Sequence, residues 1–412
     1  MPPVKVLHIT PSVRLLGARR SLLTLVCELA GTRYEPVVLA PGPGALTEEL
    51  DKRRLRWISL RLPPWRKFGS WFSLPGRVAE LREICDRENI GLIHCNEIYP
   101  NPHALVASST GKFGLELPNT LLNQRLIYAL KRPVVTHMRL SVTPRMIKNY
   151  MLSGATRIIA VSEAAARDFD SFEWKRERVR VVHNGINFEE FEEARQHRHL
   201  TRHKLGYEDR DFVIGQIGLL MPRKRPKFLI EAAEIILRLV PHAKFLLVGE
   251  PSPTDAGYLD ELKSLAKEKR VDFAFQFIPF QQRVAEYFAA LDLHVLLSND
   301  EGFGRVVIEA AGAGVPTIGS NVGGIPELIR DDETGFIIGP PDTSDEDFWD
   351  ELPDFAEMVA RLANDREKLG QLGEAAHDFT KRNFSPEGYA AGVSAVFDEA
   401  VAECASELES LR

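Results

Sequence analysis

The sequence predicts an α/β protein of two doubly wound domains facing across a cleft. Three observations carry that reading. The chain has 412 residues, too many for one ordinary core and enough for two domains of roughly 150–200 residues each. Short apolar runs alternate with helical patterns, which is the signature of strand–helix–strand units and a parallel sheet. The alternation stops at a charged stretch near residues 186–211 and then starts again.

In order, residues 4–10 read as a strand, 11–20 as its loop and 21–30 as a helix. Strand signals recur at 36–40, 91–95, 134–137, 157–161 and 179–182, with a helical pattern over 77–88. Crossovers between parallel strands are right-handed, so these segments wind into one sheet. Asn184-Gly185 is a turn signal. Residues 189–210 are charged, helix-like and poor in core residues, which sets a first domain over 1–187 and a linker over 188–211. The second series has strands at 212–217, 244–248, 275–277, 293–297 and 316–319, giving a second domain over 212–380. Residues 342–354 are acidic and read as a solvated loop. Helices over 355–372 and 386–408 close the chain, and the segment 381–412 is expected to pack back toward the first domain.

Composition narrows the class. Hydrophobic residues make up 44% and charged residues 27%, the balance of a folded globular protein. The four cysteines, Cys27, Cys85, Cys95 and Cys404, lie far apart with no Cys-x-x-Cys pair. That excludes a disulfide framework or a cysteine zinc site and makes a reducing compartment the default. No run of about 18 apolar residues and no secretory leader pattern is present, so the expected place is the cytoplasm. The net charge of −6 hides an asymmetry: residues 1–183 carry 28 Lys and Arg against 16 Asp and Glu, a balance of +12, and the rest balances at −18. A basic first half suits an anionic partner, whether nucleic acid, an anionic membrane face or a phospholipid-linked acceptor; a plain solvated surface stays open beside these. No nucleic-acid motif is present, so no nucleic-acid partner is expected.

The most informative stretch is Glu301-Gly-Phe-Gly-Arg-Val-Val-Ile-Glu309, which follows a strand and enters a helix. Gly302 and Gly304 let the backbone approach a ligand, and the helix start aims N–H groups and a positive dipole end at an anion. Glu309 sits in an apolar run and needs hydrogen-bond donors there, which ribose hydroxyls would supply. The plain alternative makes Glu301 a capping residue and Glu309 an ion-pair partner.

Here the chain resembles the family-4 (group 1) retaining glycosyltransferases, which share the two-Rossmann GT-B fold. The Glu301-x(7)-Glu309 spacing carries the resemblance, with Asn321-Val-Gly-Gly-Ile-Pro-Glu327, Glu333-Thr-Gly335 and Val182-His-Asn184-Gly185 following the family's order. It implies a nucleotide diphosphate-sugar donor, UDP- or GDP-linked, and a hydroxyl acceptor. Lys224, in Gly218-Leu-Leu-Met-Pro-Arg-Lys224, matches the lysine that neutralises the donor diphosphate, and Glu301 would hold the sugar hydroxyls. Gly218, Arg223, Gly302, Phe303, Gly304, Val306, Val307 and Glu309 complete the expected donor set, the amides of residues 303–307 facing the diphosphate. Leu219 stands where the family usually has an arginine, and Arg223 or Arg225 would replace it. His137, at a strand end, matches the family's cleft histidine; His94 is a weaker candidate. In the first loop, Leu16-Gly17-Ala18 keeps one of the family's paired glycines, and Gly17 still permits close approach.

The resemblance implies retention by a same-face route in which the departing diphosphate takes the acceptor proton. No cofactor and no metal are expected, since no Asp-x-Asp cation site stands near these elements. The expected acceptor is a carbohydrate or a lipid-linked saccharide in cell-surface polysaccharide or glycolipid synthesis. Peripheral membrane contact would run through the segment Trp65-Arg66-Lys67-Phe68-Gly-Ser-Trp71-Phe72, unless its aromatics pack into the core. The alternatives are a sucrose- or trehalose-type synthase with a small soluble acceptor, and a catalytically weak binding subunit of the same fold.

Overall fold

The computed structural model describes residues 3–70, 72–109, 130–252, 254–340 and 348–410. Trp71 and residues 342–347 of the acidic stretch expected over 342–354 lie outside these residues. The chain divides into two compact units, Met1–Gly185 with Pro386–Arg412, and Ile186–Ser385.

The first unit is built on β1 (Val4–Ile9), β2 (Tyr34–Ala40), β3 (Trp57–Ser59), β4 (Ile90–Cys95), β5 (Val134–Met138), β6 (Arg157–Ala160) and β7 (Val179–Val181). They form one sheet in the order β3-β2-β1-β4-β5-β6-β7, every pair parallel. The strands read as near-continuous apolar runs because both faces are covered, as a parallel sheet requires. Leu7, Ile9, Ile93 and Cys95 pack on one side against Leu81, Ile84 and Cys85 of the helix Leu74–Arg87. Val6, Leu92, Val135 and Ile159 pack on the other against Tyr389, Val393 and Phe397 of the helix Pro386–Ser410. That helix is also tied by ion pairs, Arg157 with Glu399 and Glu403, and Arg33 with Asp398.

The second unit holds β8 (Phe212–Ile217), β9 (Ala243–Val248), β10 (Phe275–Ile278), β11 (Leu293–Leu296), β12 (Thr317–Ser320) and β13 (Gly335–Ile338). Their order is β10-β9-β8-β11-β12-β13, again all parallel. Phe228, Leu229 and Ile236 of the helix Pro226–Leu239 and Phe355 and Val359 of the helix Leu352–Asn364 belong to its main core.

Three sequence expectations change. Residues 188–211 are no linker: the helices Phe188–Gln196 and Arg198–Lys204 belong to the second unit. Phe188, Phe191 and Ala194 are buried on the first of them, and Arg198 and Arg202 both pair with the buried Asp292, at 2.8 and 3.0 Å. The alternation of charges hid that apolar spacing. The helix expected over 355–372 is two helices, Leu352–Asn364 and Arg366–Asn383, because Asp365 caps the second through Lys368 N at 2.9 Å. Residues 349–354, expected as solvated loop, are helical, in the 3-10 turn Trp349–Glu351 and the start of Leu352–Asn364.

Candidate active site

In the second unit the carboxyl ends of β8 and β11 lie side by side, the position where doubly wound sheets bind ligands. The chain leaves β8 through Gly218 at φ +138°, and Gly249, at φ +153°, crosses it so closely that a Cβ on Gly249 would fall 1.8 Å from the Gly218 carbonyl oxygen. Only glycine fits that crossing. A 3-10 turn, Pro222–Lys224, follows, held by Gln216 Nε2 donating to the Lys224 carbonyl at 2.8 Å. Arg223 accepts through its carbonyl from Asn299 N at 2.8 Å, which ties the turn to the loop after β11.

These supports bring Lys224 and Glu301 together across 77 positions of sequence. Lys224 Nζ stands 3.4 Å from Glu301 Oε2, Arg223 Nη1 4.0 Å from the same oxygen, and Ser298 Oγ donates to it at 3.4 Å. Both side chains of the Lys224–Glu301 pair are largely buried, so the attraction is screened less than on an open surface.

Gly304, at φ +92°, turns the chain into the helix Arg305–Gly312, which has neither a side-chain cap nor an acidic residue in its first turn. Four residues on, Glu309 is 4% exposed and pairs with Arg305, Nε to Oε1 at 2.8 Å. The ion-pair alternative for Glu309 is therefore present in the ligand-free chain. Phe303 is buried with its ring 6.0 Å from Phe384, and Val307 is buried, so neither side chain is placed for a ligand. The Val307 amide donates to Gly304 O at 2.8 Å, which removes it from the expected anion-facing set. Val306 stays close to the β8 loop: its Cγ1 lies 3.9 Å from where a Gly218 Cβ would be. A cavity of about 460 Å³ opens nearby, lined by Arg225, Lys227, Tyr258, Glu261 and Trp349 among others. It includes none of Lys224, Glu301 and Glu309, and the ion-pair geometry marks the site better than the cavity does.

In the first unit, His8, His94 and His137 are each the second-last residue of β1, β4 and β5, three adjacent strands. His8 Nδ1 and His94 Nδ1 share a hydrogen bond at 2.9 Å, and the His94 and His137 rings stand 5.5 Å apart. All three are fully buried, and none of their Nε2 atoms has a partner among the described residues. Burial pushes His8 down to about 3 and holds His94 and His137 well below the ordinary histidine range. His137, matched by resemblance to a cleft histidine, is fully buried here, with the Arg139 Nη2 3.3 Å from its Nδ1. Arg139 also donates to Asn96 Oδ1 at 2.7 Å, to Tyr389 Oη at 3.0 Å and to Asn184 Oδ1. Gly17 is exposed as the first residue of the helix Gly17–Leu29. Beside it Arg19 pairs with Glu97 at 2.7 Å, each side chain 12% exposed.

The sequence pattern of the family described as "Glycosyl transferases group 1" matches residues 198–379, and that of "Glycosyltransferase Family 4" matches residues 16–190. The chain belongs to the group 1 glycosyltransferases. As a group 1 glycosyltransferase it is an enzyme, and its class transfers sugar from a nucleotide-sugar. It is 28% identical over 313 residues to N-acetyl-alpha-D-glucosaminyl L-malate synthase of Bacillus anthracis, covering 75% of this chain and 74% of that one. It is 29% identical over 228 residues to the D-inositol 3-phosphate glycosyltransferase of Nocardia farcinica, where the match takes in 54% of this chain and only 48% of the relative. Among solved structures, Anabaena HepE in complex with UDP and glucose aligns with a TM-score of 0.77 at 22% identity over 96% of this chain and 99% of that one. Sucrose-phosphate synthase from Thermosynechococcus elongatus aligns with a TM-score of 0.72 at 17% identity, over 97% and 100%. These likenesses place this glycosyltransferase in the GT-B fold.

Four residues of this glycosyltransferase's two clusters escaped the sequence reading. Arg305 was passed over inside Glu301–Glu309, although its i,i+4 spacing to Glu309 is the spacing of a helical ion pair. Arg139 and Glu97 stand just beyond strand ends and Arg19 in the first turn of the helix Gly17–Leu29, and only the fold joins them to their partners. No helix among the described residues is long and apolar enough to cross a membrane.

Proposed function

We propose that the chain moves a sugar from a UDP- or GDP-linked donor to a hydroxyl of an anionic acceptor, with retention at the anomeric carbon. The observation that carries the donor half is the pair of ion pairs at the ends of β8 and β11, Lys224 with Glu301 and Arg305 with Glu309. Glu301 takes the sugar hydroxyls, Glu309 the ribose, and Lys224 with the first amides of the helix Arg305–Gly312 the diphosphate. HepE, solved with UDP-glucose, supports a uridine nucleotide as the first donor to try.

In the reaction the acceptor oxygen bonds to the anomeric carbon on the face from which the diphosphate leaves. The bond from that carbon to the diphosphate oxygen breaks, and the acceptor proton passes to the diphosphate. This route asks for no protein base, which agrees with the sealed state of His137. Lys224 stabilises the charge growing on the leaving group, and the reaction is proposed to need no metal.

For the acceptor, the names of the two relatives above carry malate and inositol 3-phosphate, both anionic hydroxyl compounds. The +12 balance of residues 1–183 suits such a charge. A lipid-linked saccharide at an anionic membrane face is the second reading, favoured by the same balance. The decisive experiment is a donor screen that reads nucleoside diphosphate release from purified protein, with and without L-malate and inositol phosphate. Release from one donor that rises with an anionic acceptor, and falls at least tenfold in Glu309→Ala, is expected. No release from any donor, or an unaffected Glu309→Ala, overturns the reading.

A further inference from the structure

Resting on the donor-site reading above, we propose that Arg305 is a positioning residue that fixes the Glu309 carboxylate for the donor's ribose. Arg305 is the first residue of its helix, where a cation opposes the helix dipole and adds nothing to helix stability. Its place there is explained by what it holds. Glu309 lies one turn on, 4% exposed in the run Val-Val-Ile-Glu-Ala-Ala, where an unpaired carboxylate would be strongly disfavoured.

Arg305 Nε meets Oε1 at 2.8 Å, with the two side chains 12% and 5% exposed. A guanidinium is always charged and planar, so its contact with Glu309 sets the plane of that carboxylate. The contact engages Oε1 at 2.8 Å. The second oxygen, Oε2, is the one we assign to a ribose hydroxyl of the donor. Val306, the next residue, reaches the β8 loop at Gly218, the glycine whose Cβ position lies 3.6 Å from Lys224 Nζ.

The test titrates the full chain calorimetrically with UDP and with 2′,3′-dideoxy-UDP, using wild type, Arg305→Met, Arg305→Lys and Arg305→Met in a Glu309→Gln background. Arg305→Met is expected to bind UDP at least tenfold more weakly and dideoxy-UDP as wild type does. Arg305→Lys should recover part of the loss, since it keeps the charge and loses the planar fork. In the Glu309→Gln background, Arg305→Met should add less than a twofold further loss. Equal losses for both nucleotides would show Arg305 acting on the diphosphate or on the fold, and would overturn the proposal. So would a lowered melting temperature with unchanged UDP affinity. If wild type binds neither UDP nor GDP, the donor-site reading itself fails, and Arg305 falls with it.

Discussion

Both units place polar side chains at the carboxyl ends of their strands, and they keep them by opposite means. The second unit keeps its groups charged, in pairs: Lys224 with Glu301, Arg305 with Glu309. The first unit keeps three histidines neutral, packed edge to face under the helix Pro386–Ser410 with Arg139 alongside. Pairing leaves groups ready to exchange a protein partner for a ligand. Neutral burial makes groups that resist charging and contribute to packing instead. The difference separates a cluster of charges that a ligand could re-pair from buried rings that pack between the sheet and its covering helix.

The largest effect expected is on stability in acid. His8, His94 and His137 have folded-state values below the ordinary 6.5, so the unfolded chain binds more protons as pH falls below about 6.5. Their contribution is fully present above 6.5 and is lost as pH falls below it, for His8 down to about 3, with a slope of at most about 1.4 kcal/mol per pH unit for each histidine. Urea unfolding of wild type and His94→Gln between pH 7.5 and 4.5 should show the variant losing less on acidification. Parallel losses would remove the histidines from the account and break the comparison at its first-unit side.

Lys224→Ala tests the other side. Turnover should fall on the order of a hundredfold, with acid stability changed little, because the paired lysine serves the leaving group. Steady-state nucleotide release measures this, and an unchanged rate would make the charged cluster structural too. Trp65→Ala should come next in size. Trp65 is partly buried against the first unit's core and stands 5.1 Å from the His103 ring, in line with the core-packing alternative for its segment. The expected loss is about 2 kcal/mol of stability, below the range for fully buried aromatics. Chemical denaturation reads the loss, and vesicle co-sedimentation of the same variant at low salt should match wild type. Smallest of all, excess EDTA should change the transfer rate less than twofold if, as proposed, a lysine and helix amides meet the diphosphate. Complete loss restored by magnesium would replace Lys224 with a cation in that role.

The main features of the fold could be read from the chain because parallel strands covered on both faces are continuous apolar runs, and β1, β8 and β9 are such runs. Strand β3 was missed since its three residues, Trp57–Ser59, are half-buried or exposed at a sheet edge. Strand β13 was seen only as a motif, for Gly335–Ile338 is four residues long, half-buried at its two middle positions, and follows a turn. At the site, the local span Glu301–Glu309 was legible, whereas contacts made by tertiary folding were not. That Lys224 would meet Glu301 could be expected only from resemblance, and that His137 would be sealed depended on Arg139 and on Tyr389, 250 residues further on.

The first unit is assembled from two distant stretches, and this has a consequence for the order in which the protein forms. Its sheet is complete at Val181, but the helix that covers Val6, Leu92, Val135 and Ile159 begins at Pro386. All of Ile186–Ser385 is made in between. At about 5–20 residues per second, one apolar face of a finished sheet waits roughly 10–40 s on the ribosome for its cover. Throughout that interval the face is a target for chaperones and for other nascent chains, while the inserted second unit has time to fold by itself.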